Sequence, residues 1–289
     1  MAESAPIETL AGIVYATRDG MSLSGDLYRP AGAGPHPVVL AVPGGGWRAS
    51  ARSGLAHWAR HLARAGMAVF AIEYRTSATA PSFPGAVCDV LAAIDFLDRA
   101  GTTLNLDPSR LGIVAASAGA HLAALATYAG GTPALQNACA GDSLRAPRRM
   151  PRALVLAYGV YDLEQHWHET RAAAAAGPDL VHQFLGSSPV AAPELYRLAS
   201  PEAYVRTGMH AAPVLVTFGT TDTIVDPAQT TRFVAALCAA GVPVSQLPVP
   251  GAGHHWFSLQ PLDDPATFTA GIAPAVTSFL LTHLHVVDS

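Results

Sequence analysis

The stretch LGIVAASAGAHLAALATYA, residues 111–129, decides the reading of this chain. Its first six residues are a continuous apolar run, the mark of a strand buried on both faces. Its second half is an alanine-rich helical stretch. Between them stands Ser117, with Ala115 and Gly119 two positions to either side. A serine on a sharp strand-to-helix turn needs small residues at those positions, or side chains collide. The pentapeptide alone is weak evidence, because alanine and glycine abound here, and a serine capping a helix is its plainer meaning. Its place between strand and helix gives it weight.

Outward from that stretch the same rhythm repeats. Short apolar runs predict eight strands, at about 12–17, 22–29, 38–42, 67–73, 111–116, 153–158, 213–219 and 244–249. Helical spacing of apolar residues predicts helices over 53–65, 85–99, 227–240 and 265–284. Strands alternating with helices around continuous apolar runs mean an α/β fold with a mostly parallel sheet and helices on both faces, its site at the C-terminal strand ends. Two stretches break the rhythm, about 130–150 and 163–210. Both follow strand ends, so they are expected to form a small cap over the site. No linker divides the chain, and 1–289 reads as one domain.

Three further strings stand in matching places. Pro43-Gly44-Gly45-Gly46-Trp47 follows the third strand. Its glycines let backbone N–H groups approach a ligand, which suits an oxyanion hole built from the Gly45 and Gly46 amides with that of Ala118 at the helix start. No Gly-Lys-Ser/Thr follows, so a phosphate loop is not indicated, and Trp47 and Arg48 break a dinucleotide fingerprint. Asp222, after the seventh strand, suits the acid that orients a histidine. Asp226, just before Pro227, reads better as a helix cap. Gly251-Ala252-Gly253-His254-His255 follows the eighth strand, and the glycines before His254 favour it over His255 as a base. The chain order Ser, Asp, His is that of α/β-hydrolases.

Composition narrows the partners. The net charge of −4 excludes a phosphate-tracking surface and so nucleic acid, and the one basic spot, Arg145, Arg148 and Arg149, reads as a solvated loop. Half the residues are hydrophobic, enough for a large core. Cys88, Cys139 and Cys238 are odd in number and far apart, so no disulfide framework is expected. His57 and His61 lie one helical turn apart, but Trp58 stands where a zinc peptidase needs glutamate, and no metal or cofactor is expected. The N-terminus MAESAPIETL lacks the pattern of a signal peptide, and no run reaches the ~18 apolar residues of a membrane span. A cytoplasmic protein is expected. The sequence leaves a homodimer open.

Taken together, PGGGW (43–47), EYR (73–75), FPGAVCDV (83–90), DPSRLGIVAASAGAHLA (107–123), YGVYDL (158–163), FLGSSP (184–189), ASPEAYV (199–205), FGTTDTIVDP (218–227) and GAGHHWF (251–257) resemble the bacterial acetyl/feruloyl esterase group of α/β-hydrolases, relatives of the hormone-sensitive-lipase-like esterases and kynurenine formamidases. The resemblance implies Ser117 as nucleophile, Asp222 as acid, His254 as base, and Gly45, Gly46 and Ala118 as oxyanion hole. It implies a small-molecule ester substrate, such as an acetyl, short acyl or aryl ester, with a small-amide hydrolase or a non-catalytic binding protein as the alternatives. Pro43 stands where the group usually has histidine, and Ala115 and Ala120 replace glycines. Trp47, Tyr74, Trp167, Phe184 and Trp256 are candidate pocket walls.

Overall fold

The computed structural model describes residues 6–18, 20–142, 149–173, 179–208 and 211–285. Arg145, Arg148 and most of the alanine run at 172–176 lie outside the described residues.

Eight strands form one sheet in the order β1-β2-β4-β3-β5-β6-β7-β8. They are β1 (Ile7–Arg18), β2 (Met21–Pro30), β3 (His36–Val42), β4 (Ala68–Ile72), β5 (Leu106–Ala116), β6 (Ala153–Ala157), β7 (Val214–Gly219) and β8 (Val244–Val249). β1 and β2 run antiparallel to their neighbours, and every pairing from β4 through β8 is parallel. This sheet with its helices is the α/β-hydrolase fold. β1 and β5 each begin five residues earlier than the apolar runs suggest, at Ile7 and Leu106. Most of the extra residues are polar or exposed, and they are held by pairing to β2 and to the start of β3, which apolar patterning does not report.

The helices are α1 (Ala56–Arg64), α2 (Gly85–Ala100), α3 (Ala118–Ala129), α4 (Pro133–Ala138), α5 (Leu163–Ala173), α6 (Leu180–Leu185), α7 (Pro193–Ala199), α8 (Pro227–Ala239), α9 (Trp256–Leu259) and α10 (Phe268–Leu284). Strand parity sends side chains to two separate cores. Val38, Leu40 and Val42 of β3 join α2, α3 and α8 on one face, while Val39 and Ala41 join α1 and α10 on the other. Because the central strands are covered on both sides, their runs carry no polar alternation. Asp226 caps α8, its Oδ1 accepting from Ala228 N at 2.8 Å.

One expectation needs correction. Cys88 of α2 and Cys139, just after α4, form a disulfide across a separation of 51 residues, and only Cys238 is free. The odd count and wide spacing concealed it, since the pairing exists only once α4 folds back on α2. Beside it the Arg75 guanidinium donates to Asp89 Oδ1 at 2.8 Å and to Asp142 Oδ2 at 2.6 Å. Ion pair and disulfide together fasten the segment after α3 to α2.

Candidate active site

Ser117 ends β5 and opens α3 with φ 53° and ψ −125°. A non-glycine residue holds such a backbone at a cost of roughly 1–3 kcal/mol, repaid only where the surroundings over-determine it. Here its amide donates to Ala157 O at 2.8 Å and its carbonyl accepts from His121 N at 3.0 Å. A Cβ on Gly119 would lie 2.2 Å from Val42 O and 2.4 Å from Pro43 O, so glycine is required for β3 to pass the helix start. The small residue at that position is therefore explained by backbone contact.

The hydroxyl does not stand alone. Ser117 Oγ lies 3.0 Å from His254 Nε2, and His254 Nδ1 lies 2.6 Å from Asp222 Oδ2. A carboxylate only accepts, so Nδ1 carries the proton and Nε2 is left to accept from the serine. The other carboxylate oxygen, Oδ1, accepts from Ile224 N at 2.9 Å and Val225 N at 3.0 Å. The His254 and Asp222 side chains are 2% and 1% exposed, so this chain of hydrogen bonds is shielded from water. A hydroxyl, a base of fixed tautomer and a buried acid in line can pass a proton from oxygen to nitrogen as the oxygen attacks a carbonyl. His255 sits edge-on to the His254 ring with φ 64°, and the serine is paired with His254 instead.

The glycine loop packs against the serine. A Cβ on Gly44 would meet Ser117 Cβ at 3.0 Å, and Gly45 and Gly46 have φ of 137° and 58°. Among the described residues, no backbone acceptor meets the Gly45, Gly46 or Ala118 amide. Amides left open beside a hydroxyl are what an oxyanion requires. The Tyr74 hydroxyl donates to Pro43 O at 2.9 Å, so a tyrosine braces the loop at its proline.

The aromatic candidates fall differently from the expectation that they wall a pocket. Trp47 and Phe184 are buried and stacked on each other at 5.0 Å, Tyr74 is buried under the loop, and Trp256 belongs to the core beneath the sheet with Phe257 and Ile272. Only Trp167 keeps partial exposure, its Nε1 donating to Asp179 Oδ2 at 2.8 Å. Sequence marks an aromatic as large and apolar but not as inward or outward, and these four went inward. His57 and His61 bond Phe257 O and Thr277 Oγ1 at 2.9 Å each, a structural use of both.

Three residues at the site escaped the sequence analysis. Tyr158, directly after β6, holds φ 40° and lays its ring 4.4 Å from the His254 ring. Its place after a central strand was the available signal. His121 of α3 and His166 of α5 are buried imidazoles that burial pushes down to about 4, and His166 Nδ1 finds no hydrogen-bond partner among the described residues. His166 feels the charges of both His254 and Asp222. Nothing in an apolar helix pattern announces such residues.

Comparison with known proteins agrees with the fold. Esterase LipQ of Mycobacterium tuberculosis (strain ATCC 25618 / H37Rv) is 34% identical over 249 residues, 84% of this chain and 55% of LipQ. Esterase LipC of the same organism is 32% identical over 224 residues, 76% of this chain and 53% of LipC. The chain thus spans about half the length of these relatives. Among solved structures, a truncated carbohydrate esterase from gut microbiota superposes with a TM-score of 0.75 at 23% identity, covering 99% of both chains. Esterase B from Lactobacillus rhamnosis (HN001) gives 0.79 at 20% identity, covering 96% of this chain and 86% of its own. The BD-FAE family model matches residues 25–237, and by that match the chain belongs to the BD-FAE family of α/β-hydrolases.

Proposed function

We propose that this chain is a serine hydrolase of carboxylic esters, in which Ser117 attacks, His254 moves the proton and Asp222 holds His254. The observation that carries it is the continuous path from Ser117 Oγ through His254 to Asp222, at 3.0 and 2.6 Å. Relatives named as esterases support the same reading. In the first half-reaction the serine oxygen adds to the ester carbonyl while its proton passes to Nε2. The oxyanion is received by the Gly45, Gly46 and Ala118 amides, each such donor worth roughly 3 kcal/mol of barrier. Collapse expels the alcohol, which takes the proton from His254. Water then repeats the sequence on the acyl-enzyme and releases the acid.

Small acetyl, short acyl or aryl esters fit this reading. The helices α5 to α7 serve as the cap, since Phe184 and Ala199 from them reach Trp47 and His121 beside the serine. Among the described residues no helix is long and apolar enough to cross a membrane. The Cys88–Cys139 disulfide weighs against the cytoplasm expected from the sequence and favours an oxidising compartment, because cytosolic reductants keep thiols reduced.

The test is labelling with a fluorophosphonate, followed by turnover on p-nitrophenyl esters of rising chain length with a formanilide alongside. A covalent adduct at Ser117, and loss of both adduct and turnover in a folded Ser117→Ala protein, is expected. A folded wild-type protein that neither labels nor hydrolyses any ester would sink the reading.

A further inference from the structure

The glycine loop carries three consecutive residues with positive φ: Gly45 at 137°, Gly46 at 58° and Trp47 at 58°. For glycine this costs little, but for tryptophan it is a conformation that must be imposed. Trp47 is held on every side. Its carbonyl accepts from Ser77 N at 2.7 Å and Ser77 Oγ at 3.1 Å. Its ring stacks on Phe184 of α6 at 5.0 Å. Its indole Nε1 donates to His121 Nδ1 at 3.0 Å, and the His121 ring stands edge-on to it at 5.4 Å.

An indole N–H can only donate, so His121 Nδ1 must be unprotonated and the ring proton sits on Nε2. That proton is spent on Ala199 O, the last residue of α7, at 2.8 Å. Both ring nitrogens of a fully buried imidazole are thus satisfied by groups from two other parts of the chain. His121 itself lies one turn into the helix that Ser117 opens, and its own amide donates to Ser117 O at 3.0 Å. One side chain therefore joins the serine turn, the glycine loop and the cap.

We propose that His121 is a positioning residue that sets the glycine loop, through Trp47, at its working distance from Ser117. The proposal rests on the ester-hydrolase reading above. The loop amides must meet a developing oxyanion within a few tenths of an ångström, and a displacement of about 1 Å costs roughly 10²-fold in rate. A neutral acceptor at Nδ1 fixes where Trp47, and hence Gly46, can sit. The effect belongs to the transition state, so it falls on kcat rather than KM.

Three variants separate positioning from mere packing. His121→Asn puts an acceptor oxygen where Nδ1 lies but cannot reach Ala199. His121→Gln reaches Ala199 but offers no acceptor at the Nδ1 place. Trp47→Phe keeps His121 and a ring to stack on Phe184 and removes the N–H with part of the indole, whereas His121→Gln breaks the same link with the whole indole in place. Turnover of p-nitrophenyl acetate is expected to fall at least about tenfold in His121→Gln and Trp47→Phe, with KM within about threefold, while His121→Asn stays within about threefold in kcat. The double variant Trp47→Phe with His121→Gln is expected to lose little more than either alone, since both break one link. Wild-type kcat in folded Trp47→Phe overturns the proposal, and so does equal loss in His121→Asn and His121→Gln. Should the His121 variants not fold, Trp47→Phe decides alone. Active wild-type protein with an indifferent Trp47→Phe removes this inference only. Wild-type protein that neither turns over nor labels removes the ester-hydrolase reading beneath it.

Discussion

The loops after β7 and β8 hold Asp222 and His254 with their own backbone, whereas the loop after β3 is held in place by side chains from elsewhere. Asp222 takes its two amides from residues two and three positions on. The two loops are sewn together by Thr221 N donating to Ala252 O at 3.0 Å and Gly251 N donating to Thr220 Oγ1 at 3.0 Å. The glycine loop instead leans on Tyr74, Ser77, His121 and Phe184, drawn from three different parts of the chain. The wall proposed to supply acid and base is thus a local construction, and the wall proposed to receive the oxyanion a distant one. A local wall tolerates change in the cap. A distant wall transmits it.

The largest effect that bears on this contrast is expected at the acid. Asp222→Ala should lower kcat by roughly 10⁴-fold without unfolding the protein, because the histidine loses its orientation while the loops keep their stitching. Asp226→Ala should cost only a helix cap, about 1 kcal/mol. Steady-state kinetics with a thermal melt of each variant would decide, and a turnover in Asp222→Ala within tenfold of wild type would reverse the assignment.

Next comes the seam between the two loops. A Cβ on Gly219 would lie 2.2 Å from Ala252 O and 2.4 Å from Gly253 O, both backbone atoms, whereas one on Gly253 would meet nothing within 4 Å. Gly219→Ala should therefore part the loops and lower kcat/KM by about 10²-fold, while Gly253→Ala stays within about threefold. Equal effects at the two glycines would mean that the acid–base wall does not depend on this seam.

The last expected effect is on stability rather than turnover and belongs to the cap side. His121 and His166 are kept neutral by burial, at about 4 against an ordinary 6.5. Between those values the unfolded chain binds protons that the folded one does not, so stability rises with pH across that window and is lost as pH falls through it. Each histidine accounts for about 3 kcal/mol between pH 6.5 and 4. His166 lies among His121, Glu169, His254, Asp222 and Asp179, so its share is shaped by all of them. Denaturant melts from pH 7 to 4 should show a shallower loss in His166→Phe than in wild type. An unchanged slope would mean that His166 is reached by water and protons in the folded state.

The same contrast governs what could be read from the sequence. The central strands announce themselves because a strand covered on both faces has no room for polar alternation, and Ser117 and Asp222 stand out because each follows such a strand within a few residues, while His254 stands out by the glycines before it after the exposed edge strand β8. What lies locally along the chain was legible. His121 and Tyr158 were not read as parts of the site, and Tyr74 was read as a pocket wall rather than as a brace, since their roles come from partners 74, 96 and 31 residues away, at Trp47, His254 and Pro43. Cys88 and Cys139 hid for the same reason. Trp256 was misplaced because an aromatic near a histidine looks the same in a string whether it faces a substrate or a core.

The backbone of Ser117 has a further consequence. In an unfolded chain this residue is an ordinary alcohol with no base beside it. Its left-handed turn exists only while Ala157 O and His121 N grip it from either side, and those partners arrive with β6 and α3. His254 is 137 residues further along and comes last. During synthesis the Ser117 hydroxyl thus has no base beside it until the segment that carries His254 has emerged and closed on it, so a copy that stops short of residue 254 has no activated serine to be acylated.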